Sequence, residues 1–388
     1  MKKKIAILGS TGSIGKSTLE VIKKNKSDFE IVLLTANNNY KKLIEQAKKF
    51  NVKNVIIKNK KHFDKTVNSL KKTKTKVYSG NISITNIISK KIDITMSAIV
   101  GLAGLQPTVD AIKVSKTVAL ANKETIICAW HILSRLRKKY NTELLPVDSE
   151  HFSIMEQTKN ITNNDIQDII ITASGGPFLK SSINKLRYMK PKQAIKHPNW
   201  KMGKKISVDS ANMMNKVFEV IEAHKIFKFS KSKYKIMIHP QSYVHSIINF
   251  KNGLVKMLLY KPDMKIPISN IMHKDSNYIS EEVKTHSKIL NDMNFYEVDK
   301  KKFPSVNLIK KCLNSGFSSP IIINASNEVL VDLFLREKIA FLDIVKNINK
   351  IFKDKEFKKY ARRIPRSVKD IIITDKWARL KTINMCAK

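Results

Sequence analysis

Short apolar runs and longer lysine-rich stretches of helical spacing take turns along the first third of the chain. Ile5-Ala-Ile-Leu8 is closed by Gly9 and predicts a strand buried on both faces. Residues 16–24 put Leu19 and Ile22 on one side and lysines on the other, which predicts an amphipathic helix. Glu30-Ile-Val-Leu-Leu-Thr35 predicts the next strand. Apolar runs at 54–57, 94–100, 118–120 and 144–147 continue the alternation, so the fold class is α/β with a doubly wound parallel sheet at its start.

The pattern changes in the middle of the chain. Ile169-Ile-Ile-Thr172 and Ile236-Met-Ile238 predict strands, residues 243–259 predict more, and a helix is expected from about residue 211, with Met213, Met214, Val217, Phe218 and Ile221 on its apolar side. Residues 263–300 read as a connecting segment. From about 304 the spacing is helical, with Leu330, Leu333, Leu335, Ile344, Ile348 and Ile351 in register. No internal repeat or low-complexity linker interrupts the chain.

Composition changes this picture little. At 388 residues and 42% hydrophobic, the chain has material for two or three cored domains. Lys+Arg 73 against Asp+Glu 32 gives +41, a value that raises nucleic-acid binding as a function. The lysines, however, are spread through the chain together with abundant Asn and Ile, and no nucleic-acid motif accompanies them, so compositional drift is the preferred explanation. The charge still draws anionic small molecules toward any cleft. Cys128, Cys312 and Cys386 have no CxxC spacing, which fits a reducing cytosol. The apolar run after Met1-Lys-Lys-Lys4 is too short for a secretory signal, and no run approaches the ~20 residues that span a bilayer. A cytoplasmic protein without a membrane segment is expected.

Candidate chemistry sits where predicted strands end. Gly9-Ser-Thr-Gly12-Ser-Ile-Gly15 follows the first strand and opens a helix, the context of a dinucleotide phosphate loop, although its spacing is G-x-x-G-x-x-G. The second strand ends in Thr35-Ala36-Asn37-Asn38-Asn39; no acid there repels a 2′-phosphate and three amides can donate to one, which leans toward NADP. Asn122-Lys123-Glu124 closes another strand. Asp148-Ser149-Glu150 follows Leu144-Leu-Pro-Val147 and admits two readings. On a strand, i and i+2 share a face and both carboxylates converge on one hard cation. Alternatively, they cap a helix beginning near Phe152. Ser174-Gly175-Gly176 offers a hydroxyl and amides to an anion. His197-Pro-Asn-Trp200-Lys-Met202-Gly203 has the make-up of a lid, or of a packed loop. Asn215 and Glu219 share a helical face beside Lys216.

Taken together and in order, these blocks resemble the 1-deoxy-D-xylulose 5-phosphate reductoisomerase family. The resemblance runs along essentially the whole chain and is densest in GSTGSIG (9–15), LANKE (120–124), LLPVDSEH (144–151), SGGPF (174–178), HPNWKMGKKISVDS (197–210), MMNK (213–216) with Glu219 and IEA (221–223), and IHPQS (238–242). It implies a V-shaped fold with a Rossmann-like NADPH domain, an α+β central catalytic domain and a helical C-terminal domain, usually homodimeric through the central domain. The corresponding segments are 1–147, 148–273, a connector at 274–303, and 304–388.

The implied activity is NADPH- and divalent-metal-dependent rearrangement and reduction of 1-deoxy-D-xylulose 5-phosphate to 2-C-methyl-D-erythritol 4-phosphate, through retro-aldol cleavage, re-aldolisation and hydride delivery. Carried onto this sequence, Asp148, Glu150 and Glu219 are the metal ligands, for Mn²⁺ or Mg²⁺ and also Co²⁺. Ser174, Ser210, Asn215 and Lys216 hold the substrate phosphate. Ser149 and Lys123 meet its hydroxyl region, and His197 descends on it with Trp200 and Met202 covering. Gly9, Ser10, Thr11, Gly12, Ser13, Ile14, Ala36, Asn37, Asn38, Asn39, Asn122, Lys123 and Glu124 line the cofactor site, with Gly203 close by. The catalytic set is Lys123, Asp148, Glu150, His197 and Glu219.

This sequence departs from the family pattern at three places. Many members have Gly and a basic residue where Asn37-Asn38 stand, Asn where Phe152 stands, and Thr and Gly-Leu where Asn212 and Val217-Phe218 stand. The runner-up enzyme is an NADP-dependent dehydrogenase of the homoserine or semialdehyde type. The split carboxylates and the His-Pro-Asn-Trp segment count against it.

Overall fold

The computed structural model describes residues 1–200, 202–274 and 287–387. The chain folds into two compact units. Of the described residues, the first comprises Met1–Ile126, Trp130–Phe152 and 264–274; the second comprises Ile127–Ala129, 153–263 and those from 287 on.

The first unit is built on β1 (Lys3–Leu8), α1 (Ser13–Lys24), β2 (Phe29–Ala36), α2 (Tyr40–Phe50), β3 (Asn54–Ile57), α3 (Phe63–Leu70) and β4 (Lys76–Ser79), then β5 (Ile92–Ser97), α4 (Leu105–Val114), β6 (Ser115–Leu120), α5 (Lys123–Tyr140) and β7 (Glu143–Pro146). The strands form one parallel sheet in the order β4-β3-β2-β1-β5-β6-β7. Strands Ile5–Leu8, Leu33–Leu34 and Val118–Leu120 are buried, as expected for a sheet covered on both faces. Chain order reverses between β1 and β5, so the crevice beyond their C-terminal ends is the topological switch point where ligands of such sheets bind.

Local chemistry explains the helix bounds near that edge. Asn122 caps α5, its Oδ1 accepting from Thr125 N at 2.8 Å, and Glu124 stands in the first turn. Arg137, Lys138 and Lys139 fill the last turn, and Asn141 closes the helix in the left-handed region at φ 45°.

Helix α6 (Ser149–Gln157) carries the boundary between the units. The second unit continues with β8 (Ile166–Ala173), α7 (Ile183–Leu186), α8 (Pro191–Ala194), α9 (Lys204–Ala211), α10 (Met214–Phe227), β9 (Tyr234–Ile238), β10 (Val244–Phe250) and β11 (Val255–Leu259). Helix α11 (Lys265–Met272) lies in the stretch expected to be a connector and packs against α1 of the first unit. Its sequence, Lys-Ile-Pro-Ile-Ser-Asn-Ile-Met, has no charged stripe to announce a helix. The remainder is β12 (Tyr296–Glu297), α12 (Leu308–Ser315), α13 (Ser319–Leu335), α14 (Phe341–Ile351), α15 (Phe357–Ala361) and α16 (Val368–Cys386), the helical C-terminal region anticipated from 304 onward. Of the expected 274–303 connector, residues 274 and 287–303 are described; residues 275–286 lie outside the described residues.

The second sheet has the order β11-β10-β8-β9-β12, mixed, with β9 parallel to β8 and the other pairs antiparallel. Its core joins Ile154 of α6, Ile169 and Ile171 of β8, Val220 and Ala223 of α10, and Ile248 of β10. A separate helical core unites Ile322 and Ala325 of α13 with Ile351, Phe357 and Ala378. The two-way division is coarser than the four sequence segments. Among the described residues no helix is long and apolar enough to cross a membrane.

Candidate active site

The glycines of the 9–15 loop are there for space. Gly9 has φ +81°, and a Cβ on it would lie 2.8 Å from Ala98 O, at the end of β5. A Cβ on Gly15 would lie 2.4 Å from Gly9 O. The turn therefore folds tightly over the switch point, and α1 begins at Gly12, which offers no side-chain cap. The first-turn N–H groups of α1 are thus presented as an anion cradle.

Thr11 and Ile14 are half-buried on this turn, and Gly12 and Ser13 are exposed. Ser10 departs from its expected place among the cofactor contacts. It is fully buried; its N donates to Thr35 O at 2.9 Å, its Oγ to Gln46 Oε1 at 2.8 Å, and its O accepts from Gln46 Nε2 at 3.0 Å. It braces the turn from below. Ala36 is buried at the end of β2, with Asn37, Asn38 and Asn39 exposed beyond it. Asn122 Nδ2 reaches Gly101 O at 2.9 Å and also Ile99 O, closing the loop after β5. A Cβ at Gly104 would strike that same amide, so this glycine makes room for it.

Lys123 opens α5 and Asp148 follows β7, so adjacent parallel strands deliver them to one edge, where Lys123 Nζ lies 3.0 Å from Asp148 Oδ2. Between the two readings of Asp148-Ser-Glu150, the helix is the one adopted. Asp148 precedes α6, Phe152 N donates to its carbonyl at 2.8 Å, and Glu150 sits in the first turn. The strand geometry proposed for i and i+2 is corrected accordingly: helix formation begins as soon as Pro146-Val147 are past. Ser149 Oγ donates to Glu150 Oε2 at 2.6 Å.

His151, given no role from sequence, places Nδ1 3.5 Å from Asp148 Oδ1. Burial pushes the Asp148 carboxyl upward, but the Lys123 ammonium, followed by His151, outweighs it and holds the acid well below the usual range. An ionised carboxylate ready for a cation results. His151 at i+3 was a readable signal, since that spacing puts both side chains on one helix face.

In the second unit the helix expected from about 211 is two helices. Met213, at φ 65°, breaks α9 from α10, so Ser207, Asp209 and Ser210 are helical rather than in a lead-in. Helix α10 is buried on more than its apolar side: Val217, Phe218, Glu219, Val220 and Ile221 are all buried. Lys216 Nζ and Asn215 Nδ2 both engage the Glu219 carboxylate. A Cβ on Gly176, at φ +66°, would lie 2.7 Å from Ser210 O, so the Ser174–Gly176 turn is pressed against the end of α9.

Ser174 is paired with His197: Nε2 lies 3.0 Å from Ser174 Oγ. His197 Nδ1 accepts from Asn199 N at 3.2 Å and Trp200 N at 3.0 Å, which assigns the ring proton to Nε2 and makes it the donor to Ser174. Burial and then the nearby Lys216 cation lower the His197 pKa to about 4, keeping the imidazole neutral. Asn199, also unassigned from sequence, donates Nδ2 to Pro240 O at 2.6 Å and Ser242 Oγ at 2.8 Å, tying this loop to the turn after β9. The Trp200 ring meets His245 edge-on at 6.2 Å. Met202 is half-buried and Gly203 caps α9; Lys201 lies outside the described residues.

Family profiles, relatives and solved structures of high similarity agree. Family profiles described as 1-deoxy-D-xylulose 5-phosphate reductoisomerase, its C-terminal domain, and DXP reductoisomerase C-terminal domain match residues 5–130, 144–227 and 259–381. The 1-deoxy-D-xylulose 5-phosphate reductoisomerase of Pelagibacter ubique is 46% identical over 385 residues, covering 99% of each chain. That of Zymomonas mobilis is 37% identical over 377 residues, 97% of this chain and 96% of the relative. The solved Zymomonas mobilis enzyme in complex with NADPH superposes with a TM-score of 0.91 at 35% identity, covering 100% of this chain and 99% of its own. A DOX-P reductoisomerase in complex with NADPH, fosmidomycin and magnesium gives 0.93 at 31% identity, covering 99% and 98%.

Proposed function

This chain belongs to the 1-deoxy-D-xylulose 5-phosphate reductoisomerase family, and from that membership we propose how its residues divide the work. It is an NADP-dependent oxidoreductase and isomerase that converts 1-deoxy-D-xylulose 5-phosphate to 2-C-methyl-D-erythritol 4-phosphate, with NADPH and a divalent metal as cofactors. The single observation that carries the reading is 46% identity to a family member over 99% of both chains. The dehydrogenase alternative and nucleic-acid binding are not favoured.

The residues present suit both cofactors. Gly9 and Gly15 clear a close backbone approach at the switch point, beside the uncapped start of α1. Asp148, Glu150 and Glu219 are an oxygen-only donor set, with Asp148 kept ionised, which suits a hard cation such as Mg²⁺ or Mn²⁺. When bound, the metal supplies Lewis-acid polarisation of the sugar oxygens and NADPH supplies hydride.

The rest belongs to the chain. Lys123 holds Asp148 in place and, with Ser149, meets the substrate hydroxyls. Ser174, Ser210, Asn215 and Lys216 take the substrate phosphate, whose remote binding energy orients the reacting carbons. His197, neutral and proton-bearing at Nε2, donates to this phosphate-side group, and Trp200 and Met202 exclude water above it. Two copies are proposed to pair, because edge strand β11 leaves Leu254, Val255 and Met257 exposed. The compartment is proposed to be the cytoplasm.

The test follows NADPH absorbance with purified protein, substrate and Mg²⁺ or Mn²⁺, with EDTA as control. Metal-dependent oxidation to a branched polyol phosphate is expected. Glu219→Gln is expected to reduce turnover by about 10²-fold or more and to weaken metal binding. Near-normal turnover and metal affinity in that variant would mean that the ligand assignment is wrong.

A further inference from the structure

An NADPH enzyme needs cationic or donor groups where the ribose 2′-phosphate arrives, near the end of β2. Here that end reads Ala36-Asn37-Asn38-Asn39, without a basic residue. Two of the three amides have their oxygens in structural use, and an amide N–H carries no full positive charge. Asn39 Oδ1 caps α2, accepting from Lys42 N at 3.2 Å, and Asn38 Oδ1 accepts from Asn59 Nδ2 at 2.9 Å.

The second bond is part of a longer join. Lys58 N donates to Ala36 O at 2.8 Å and Asn59 N to Asn37 O at 3.1 Å. The pairing of β2 with β3 thus continues past both strands and sets Lys58 directly beside Ala36-Asn37. Lys58, Lys60 and Lys61 are all exposed, and no acidic residue lies between 58 and 62.

Of these lysines, Lys60 is directed away from β2. The stem of Lys60 runs over Gly80, where an added Cβ would lie 3.1 Å from Lys60 Cε. Gly80 follows β4, the neighbour of β3 on the side away from β2. His62 goes the opposite way and stacks on Tyr40, the first residue of α2, with ring centroids 4.6 Å apart and planes 20° apart. That stack and the Asn59 cap on Lys61 N, at 3.1 Å, fix the turn.

We propose that Lys58, assisted by Lys61, is the 2′-phosphate contact of this chain. The cation absent from the end of β2 is supplied by the loop after β3. The inference rests on the NADPH reading and names the residue that makes the protein prefer NADPH over NADH.

The test is direct binding of NADPH and NADH to the full chain by titration calorimetry, apart from turnover. Wild type is expected to prefer NADPH. Lys58→Gln is expected to weaken NADPH about ten-fold while leaving NADH within about two-fold, and adding Lys61→Gln to weaken it further. Lys60→Gln removes the same charge from the same loop and is expected to change NADPH binding less than about two-fold. Adding Asn38→Arg to the double variant is expected to restore the preference. Full NADPH preference in the double variant, or equal losses from Lys60→Gln and Lys58→Gln, overturns the proposal and leaves the cofactor reading standing. A wild type that binds NADPH no better than NADH overturns both.

Discussion

His197 is the residue whose behaviour the geometry fixes most tightly. Its Nδ1 is filled by two backbone donors and its Nε2–H points at Ser174, so protonation must evict an N–H donor pair and place a cation beside Lys216. Its pKa is lowered to about 4, below the unfolded value, so the unfolded state binds the extra proton first. The sign follows: this group takes stability away as pH falls from about 6.5 toward about 4, and has no effect above that window. An NMR titration of the His197 imidazole is expected to show a midpoint near 4, and Lys216→Met is expected to move it upward by removing the second cause. A wild-type midpoint near 6.5 would mean that the loop is open to solvent. The sequence singled out His197 and Ser174 separately, but not their bond, because 23 residues of chain separate them and only the turn and loop geometry brings them together. Asp148 and Lys123 were likewise visible as strand-end residues, whereas their pairing required knowing that β6 and β7 are neighbours.

At the scale of elements, the β1-turn-α1-β2 unit was legible because apolar run, glycine turn and helical period follow each other without interruption. The break between α9 and α10 was not, since Met213 has no glycine or proline to mark it and adopts φ 65° within a buried sequence. What holds these two helices is equally hidden. Asp209 of α9 is 1% exposed, and receives Asn327 Nδ2 of α13 at 2.7 Å and Lys205 Nζ at 3.1 Å. Lys205 also lies 5.1 Å over the ring of Phe218, the residue before Glu219. Replacing Asn327 with Leu strips a donor from a buried carboxylate and is expected to cost about 1–3 kcal/mol in urea unfolding. It should also raise KM more than it lowers kcat, because α9 and α10 carry the groups assigned to the phosphate. In the first unit, Gly15→Ala forces a Cβ into Gly9 O and Ser10 Cα. A loss of about 1–3 kcal/mol, together with weakened NADPH binding, is expected from calorimetry of the variant.

For the molecule as a whole, the net charge of +41 acts on every element at once. Long-range repulsion among exposed lysines opposes compaction and is screened by salt, with a Debye length of about 10 Å at 0.1 M. The melting temperature is therefore expected to rise as salt increases from about 20 to 200 mM, where a chain of balanced charge would change little. The same repulsion bears on assembly. Among the described residues β11 is the edge strand of the second sheet, and Leu254, Val255 and Met257 are 62%, 53% and 42% exposed on or beside it. Such an edge is a hazard in a free monomer unless charge blunts it, and here Lys256 alone stands between Val255 and Met257. Pairing of two copies along this edge buries the apolar residues, while Lys256 and the overall charge resist it. The balance predicts a dimer that tightens with salt. Sedimentation velocity at low and moderate salt is expected to show the dimer strengthening as screening increases. Val255→Lys with Met257→Lys is expected to leave monomer at both salt concentrations with the unfolding transition intact. A dimer unaffected by those substitutions would assign the interface to another face.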